Sequence, residues 1–164
     1  MRRPYSPIVF RRRIEQLLAI NPDVAWGTDV IVGFPGETDE DFEQTCRLVR
    51  EAGFSKVHIF PFSPRRGTPA AEMPDQVSDR VRSERGKQLG AIERELREQY
   101  FRSLIGRNLR VLLEARSDTT AGHAVGTSCR YAPVEVPGGA GLGKLVNVVA
   151  RDVIQGPRIW ALPI

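Results

Sequence analysis

The chain has 164 residues, enough to bury a sizeable core, and 41% of them are apolar without any run long enough to span a bilayer. Its 24 Lys and Arg against 20 Asp and Glu leave a net charge of +4, and two cysteines are too few for a disulfide framework. The opening Met1-Arg-Arg-Pro lacks the apolar stretch of a secretory signal, so the expectation is a soluble cytoplasmic protein with no membrane contact.

Ser6 followed by Pro7 is a helix start and predicts a helix over 7–19, which Asn21-Pro22 ends. Ile14, Leu17 and Leu18 are its candidate sheet-facing residues, while Arg11, Arg12 and Arg13 form a basic run suited to a solvated face. The segment Gly27-Thr-Asp-Val-Ile-Val-Gly-Phe-Pro-Gly-Glu-Thr38 then joins a strand, a turn and a helix start. Val30, Ile31 and Val32 read as a parallel strand covered on both faces, and Gly33 through Gly36 turn the chain. Thr38 caps a helix over 39–52, with Asp39, Glu40 and Asp41 at the positive end of its dipole and Gly53 just past its end. Ligands bind α/β sheets at the carboxyl ends of such strands. A phosphate loop is excluded, because no Gly-x-x-x-x-Gly-Lys-Ser/Thr pattern occurs. Cys46 lies on the apolar side of the second helix with Phe42 and Val49 and reads as a buried small hydrophobe.

A second strand opens the segment Lys56-Val-His-Ile-Phe-Pro-Phe-Ser-Pro-Arg-Arg-Gly-Thr-Pro-Ala-Ala71. A long helix over 76–103 follows, with Val77, Val81, Leu89, Ile92 and Leu96 at helical spacing; Gly86 and Gly90 weaken it by about 1 kcal/mol each relative to alanine. After Ile105-Gly106 the texture changes to short β-rich runs at 109–113, 122–127, 131–136, 144–150 and 158–162, separated by glycine and proline. That spacing predicts a small β-barrel, giving an α/β domain over 1–103 and an all-β domain over 104–164. The second domain holds seven Lys and Arg against four Asp and Glu, net +3, whereas the first holds seventeen against sixteen, net +1. Arg107, Arg110, Arg116, Arg130, Lys144, Arg151 and Arg158 are candidates to neutralise RNA phosphates, with Tyr131 or His123 as a stacking surface.

The two α/β segments resemble the radical-SAM methylthiotransferases, whose strand ends in Thr-Asp-x-Ile-Val-Gly-Phe-Pro-Gly-Glu-Thr and whose next strand runs into Tyr-Ser-x-Arg-x-Gly-Thr-x-Ala. Both occur here in order, with Phe62 in place of the usual tyrosine. His58-Ile-Phe-Pro is most similar to the branch acting on threonylcarbamoyladenosine in tRNA, and Met1-Arg-Arg-Pro-Tyr5 also resembles the family. The all-β part stands where that family has a TRAM domain, an OB-like barrel that binds RNA. Val111-Leu-Leu-Glu114, Gly126-Thr-Ser-Cys-Arg-Tyr131 with Val134, and Gly143-Lys-Leu-Val146 resemble its successive blocks.

The resemblance implies the last βα units of a TIM-type radical-SAM barrel followed by TRAM, with tRNA as partner and S-adenosylmethionine as cofactor. Asp29, Ile31 and Gly33 would meet the adenosine; Phe60, Pro61 and Phe62 would border the adenine; Arg65 would pair with the methionine carboxylate or with substrate. Glu37 reads as support for the helix start. Family members bind a four-iron four-sulfur cluster through Cys-x-x-x-Cys-x-x-Cys. No such pattern occurs, and Cys46 and Cys129 are far apart in the sequence, so neither a metal ligand nor a catalytic residue is assigned. The expectation is a C-terminal fragment of a methylthiotransferase, inactive alone, with the missing N-terminal part as a candidate partner chain.

Other readings compete. An isopentenyladenosine-type methylthiotransferase fragment is one alternative, and a free-standing RNA-binding module with a decayed barrel, which would bind tRNA without S-adenosylmethionine, is another. An unrelated α/β hydrolase gains nothing, since His58 and His123 complete no Ser/His/Asp or Cys/His arrangement.

Overall fold

Residues 6–22, 24–138 and 141–164 are described by the computed structural model of the chain; the Met1–Tyr5 segment lies outside them. Two units are present, Met1–Leu96 and Arg97–Ile164.

The first unit contains helix α1 (Pro7–Ile20), strand β1 (Gly27–Val32), helix α2 (Asp39–Ala52), strand β2 (Lys56–Pro61) and the single turn α3 (Pro69–Glu72). Helix α4 (Asp79–Ser103) begins within it. Ser6 caps α1 by accepting from the Val9 amide, and Thr38 caps α2 in a full capping box with Asp41. Hydrogen bonds from the Thr38 backbone and hydroxyl hold the Asp41 carboxyl below its usual range. Gly53 ends α2 in the left-handed conformation, as its sequence position predicts. Helix α4 starts three residues later than the pattern suggests. The Gln76 side-chain amide donates to the Ala70 and Met73 carbonyls, each at 3.0 Å, closing off α3 instead of extending α4.

Strands β1 and β2 pair in parallel from Gly27↔Lys56 to Val32↔Pro61. Val30, Val32, Val57 and Ile59 pack with Phe42, Cys46 and Val49 of α2 and with Leu89, Ile92 and Leu96 of α4. Ile14, Phe10 and Leu18 of α1 join this core, whereas Leu17 is exposed, contrary to its expected sheet contact. The covering of β1 on both faces is likewise corrected: its burial is one-sided, with Asp29 exposed. Two parallel strands with helices on one face form an open sheet, and the TIM-type barrel expected from the resemblance goes beyond what they define.

The helix glycines have a packing reason. A methyl group at Gly86 would lie 4.0 Å from Pro61 Cγ and Val32 Cγ2, and one at Gly90 would lie 3.9 Å from Ile59 Cδ1. Those are ordinary contact distances, so α4 can ride close on the sheet yet still accept alanine. Gly86→Ala is expected to raise stability by up to about 1 kcal/mol, because it restricts the unfolded chain and fits the folded one. An upward shift of the urea midpoint at constant slope is the check; a fall would mean the helix sits closer than 4.0 Å in solution.

The second unit is a closed barrel of β3 (Asn108–Arg116), β4 (His123–Ser128), β5 (Pro133–Pro137), β6 (Leu145–Ile154) and β7 (Arg158–Pro163), in the order β3-β4-β5-β7-β6. All neighbours are antiparallel except β5 and β7. That is a Greek-key closure, the OB-like form expected, and closure leaves no free edge. Inward residues alternate along the strands: Leu109, Val111 and Leu113; Val134 and Val136; Val148 and Ala150; Ile159 and Ala161. Phe101 and Leu104 pack into the same core. The third strand starts at Pro133, two residues later than its pattern suggests, because residues 128–132 form a turn. Strand β6 runs past Ala150 to Ile154 through a bulge.

Candidate ligand face and nucleic-acid interface

Period-two geometry divides the β1–β2 sheet into two faces. Thr28 and Val30 line an apolar groove with Pro7, Phe10, Leu48 and Phe54 on the helical side. The alternate residues Asp29 and Ile31, and His58 and Phe60, fall on the other side; the register pairs Asp29 with His58 and Ile31 with Phe60. Phe60 is 50% exposed and Asp29 and His58 are open to solvent. Three of the expected ligand residues, Asp29, Ile31 and Phe60, therefore share one uncovered face. Pro61 does not, since it lies near Gly86 on the helical side. Phe62 meets Phe34 edge-on at 5.2 Å, and its amide extends the pairing by donating to the Val32 carbonyl at 2.8 Å. Arg65 is exposed in the segment after β2, where its carbonyl accepts from Thr68.

The turn after β1 is held from within. Gly33 and Gly36 both have positive φ, 71° and 81°. The Gly33 amide donates to Glu37 Oε2 at 2.6 Å, and the same oxygen accepts from Arg85 Nη1 at 2.6 Å. Arg85 Nη1 also reaches the Glu37 carbonyl at 3.0 Å, and Nη2 reaches Asp39 Oδ1 at 2.7 Å. Arg85 is buried, its side chain 7% exposed, and its guanidinium lies 5.5 Å from the Phe42 ring centroid. Burial works against its charge, but the hydrogen bonds to Asp39 and Glu37 outweigh that and hold its pKa above the usual value. The space beside the Gly33 Cα is filled by the stem of Arg82, whose Cγ would sit 2.3 Å from an added methyl. Arg82 in turn pairs with Asp79. Arg82 and Asp79 also line a cleft of about 560 Å³ with Phe62 and Ser63 at the carboxyl end of β2.

On the barrel, Arg110 lies on the outward side of β3 opposite Asn147, and Leu112 opposite Leu145 and Thr127. Leu112 and Leu145 are both exposed. Cys129 donates its amide to the Arg110 carbonyl at 2.7 Å, which brings the turn carrying Arg130 and Tyr131 beside Arg110. Tyr131 is 83% exposed and has φ of 56°, a rare conformation for a bulky side chain. The Ser128 hydroxyl accepts from the Arg130 and Ala132 amides, the Ser128 carbonyl accepts from the Tyr131 amide, and Tyr100 Oη donates to the Arg130 carbonyl. Such strain persists only where its surroundings over-determine it, and it concentrates at functional sites. Arg107 joins this end of β3, since its carbonyl accepts from Ala150 beside Arg151. Lys144 is exposed, next to the start of β6.

Arg116 and Arg158 do not join them. Arg116 is six residues along β3 from Arg110, roughly 20 Å on an extended strand. Arg158 turns to Glu135 at 3.2 Å and Asp118 at 3.7 Å, and His123 Nδ1 lies 3.1 Å from Glu135. His123 is thus tied to a carboxylate rather than displayed as a stacking surface. Cys46 is buried and Cys129 exposed, both as free thiols, and burial pushes the Cys46 thiol pKa up. Among the described residues no three His, Cys, Asp or Glu side chains come together as metal ligands would, so an iron–sulfur cluster does not fit them. Among those residues, too, no helix is long and apolar enough to cross a membrane.

The fold and these surfaces describe a βα unit with one uncovered sheet face, and a closed five-stranded barrel whose outer face carries basic residues and Tyr131. No family model matches the chain. It is 39% identical over 162 residues to a tRNA-2-methylthio-N(6)-dimethylallyladenosine synthase of Desulfitobacterium hafniense (strain Y51), covering 99% of this chain and 36% of that protein. It is 39% identical over 133 residues to the ribosomal protein uS12 methylthiotransferase RimO of Anaeromyxobacter sp. (strain Fw109-5), 81% of this chain and 28% of that one. A second tRNA-2-methylthio-N(6)-dimethylallyladenosine synthase, from Bartonella bacilliformis (strain ATCC 35685 / KC583 / Herrer 020/F12,63), is 37% identical over 148 residues, 90% of this chain and 32% of the relative. These homologues are methylthiotransferases, and the chain spans about a third of their length.

Proposed function

We propose that the chain is the adenosine-facing and RNA-holding part of a radical-SAM tRNA methylthiotransferase. The observation that carries this reading is the single uncovered face bearing Asp29, Ile31 and Phe60 at the end of which the Gly33 turn lies. When bound, S-adenosylmethionine would supply the radical that activates the substrate carbon for sulfur insertion. Ile31 and Phe60 would give its adenine an apolar seat, Asp29 would accept from a ribose hydroxyl, and Phe62 and Arg65 would border the site. The iron–sulfur cluster would be held by residues outside this sequence. The substrate is an N6-modified adenosine in tRNA. The dimethylallyl form has two relatives behind it, whereas the threonylcarbamoyl form rests on His58-Ile-Phe-Pro alone.

The barrel is the TRAM-type module that holds the tRNA. Tyr131 offers a base its ring, while Arg107, Arg110, Arg130, Lys144 and Arg151 neutralise phosphates around it. For the full chain, log affinity for tRNA is expected to fall linearly with log salt. Arg110→Ala should reduce that slope by about 1, and Tyr131→Ala should cost about 1–3 kcal/mol with the slope unchanged. Affinity indifferent to salt in filter binding would remove the RNA role.

A further inference from the structure

The turn between β1 and α2 lies at the carboxyl end of β1, where the Gly36 amide donates to the Asp75 carbonyl at 2.9 Å. Its shape depends on Glu37, whose Oε2 takes two short hydrogen bonds, one from the Gly33 amide and one from Arg85. Arg85 comes from α4, 48 residues further along the chain, and it fixes Glu37 twice, through the carboxylate and through the main-chain carbonyl. Its second nitrogen takes Asp39, so one planar group ties the turn to the first residue of α2. Phe42 beneath the guanidinium keeps it in place. The guanidinium therefore ties the turn to both α2 and α4.

We propose that Arg85 is a positioning residue for the ligand-facing turn: acting through Glu37, it sets the direction of the Gly33 amide and with it the affinity for an adenosine-bearing ligand. The ligand half of this inference rests on the proposed S-adenosylmethionine site; the positioning half rests on the hydrogen bonds alone. A fork is needed for this task. Three of the four contacts converge on Glu37 and Asp39 from two nitrogens held in one plane, which an ammonium group cannot reproduce. The geometry also gives Glu37, which the sequence reads as support for the helix start, a second role. It is the link between α4 and the turn.

The test uses the full chain and three variants, Arg85→Lys, Glu37→Gln and the double substitution. Amide hydrogen exchange at Gly33 and the dissociation constant for S-adenosylmethionine are read together with the melting temperature. Arg85→Lys keeps the buried charge but loses part of the fork's hydrogen bonding, so the melting temperature should fall modestly while exchange at the Cys46 amide in the middle of α2 stays slow. Gly33 exchange should quicken at least tenfold and ligand affinity should drop about tenfold. Glu37→Gln should do the same, and the double variant should be no worse than either single one, because both act through one contact. Unchanged Gly33 exchange in Arg85→Lys would overturn the positioning role. Faster exchange with unchanged ligand affinity would overturn its link to binding. Absence of S-adenosylmethionine binding by the unsubstituted chain would instead strike the functional reading, and the exchange data would still decide whether Arg85 positions the turn.

Discussion

Gly126→Ala is expected to cost the barrel about 3 kcal/mol, the upper end for overpacking a closely fitted interior. Gly126 sits in β4 opposite Leu113 and Val134, next to the bulge between Leu113 and Ala115. A methyl group there would lie 1.9 Å from the Leu112 carbonyl oxygen, 2.8 Å from the Leu112 carbonyl carbon and 3.0 Å from Leu113 Cα. All three atoms are backbone, so no rotamer change relieves the collision. Strand β3 would have to move away from β4, and β3 is also paired with β6, which transmits the shift around the closed sheet. The residue's φ is not the issue; the requirement is space, as at a barrel corner where two strands approach closely. Urea unfolding followed through near-UV circular dichroism should show a lower midpoint. Gly126→Ser should be at least as damaging. A midpoint unchanged by alanine would mean that β3 and β4 stand further apart than these distances, and the block Gly126–Tyr131 would then lose its fixed register on Arg110. Gly86→Ala is the opposing control, since the same added methyl meets only ordinary contacts there.

Both outcomes trace to information that a sequence holds unevenly. The order of elements in both units was legible, because Ser6, Thr38 and Gly53 mark helix ends and the apolar period switches from helical to alternating after Gly106. Boundaries slipped where side chains outside the pattern intervened: Gln76 closing α3, Ser128 closing the turn before β5. The candidate ligand face was partly legible, in that Asp29, Ile31 and Phe60 fall on one side by alternation. Pro61 was misjudged because that same alternation turns it to the helices. Arg85 was missed, though a signal exists. It occupies the gap between Val81 and Leu89 on the apolar stripe of α4, and a charged residue on a buried stripe needs a buried partner. Which partner it finds, Glu37 from 48 positions earlier, depends on the packing of α4 against the sheet, and spacing along the chain carries no trace of that. Charge counting treats the barrel's basic residues as one group and could not divide Arg110 from Arg158. One faces outward over a sheet pair, and the other is drawn to a buried carboxylate.

That carboxylate, Glu135, gives the second large effect. It is 1% exposed between Val134 and Val136, and it is satisfied by Arg158 and His123 and by hydrogen bonds from Thr120 and Ser117. Burial pushes its carboxyl up, but the hydrogen bonds from Thr120, Arg158, His123 and Ser117 together outweigh it and hold the pKa below the ordinary glutamate value. A depressed folded-state value means the unfolded chain takes up the proton first. The carboxylate's contribution is therefore complete above the ordinary glutamate value, about 4.3, and is lost as pH falls through the lower folded one. Glu135→Ala should cost about 3 kcal/mol at neutral pH, because it strands the Arg158 charge and frees the donors of the 117–120 loop. Arg158→Ala should also destabilise, and the double variant should lose less than the two together, since each single change already removes the contact between them. Glu135→Gln should flatten the decline in barrel stability that sets in as pH falls below the ordinary glutamate value, the side on which the depressed carboxyl loses its contribution. These results would separate Arg158 from the RNA-facing residues: at matched stability its removal should leave the salt slope of tRNA binding unchanged, whereas removal of Arg110 lowers it. A slope that fell equally for both would place Arg158 on the phosphate path and leave Glu135 to be held by His123 and the loop hydroxyls alone.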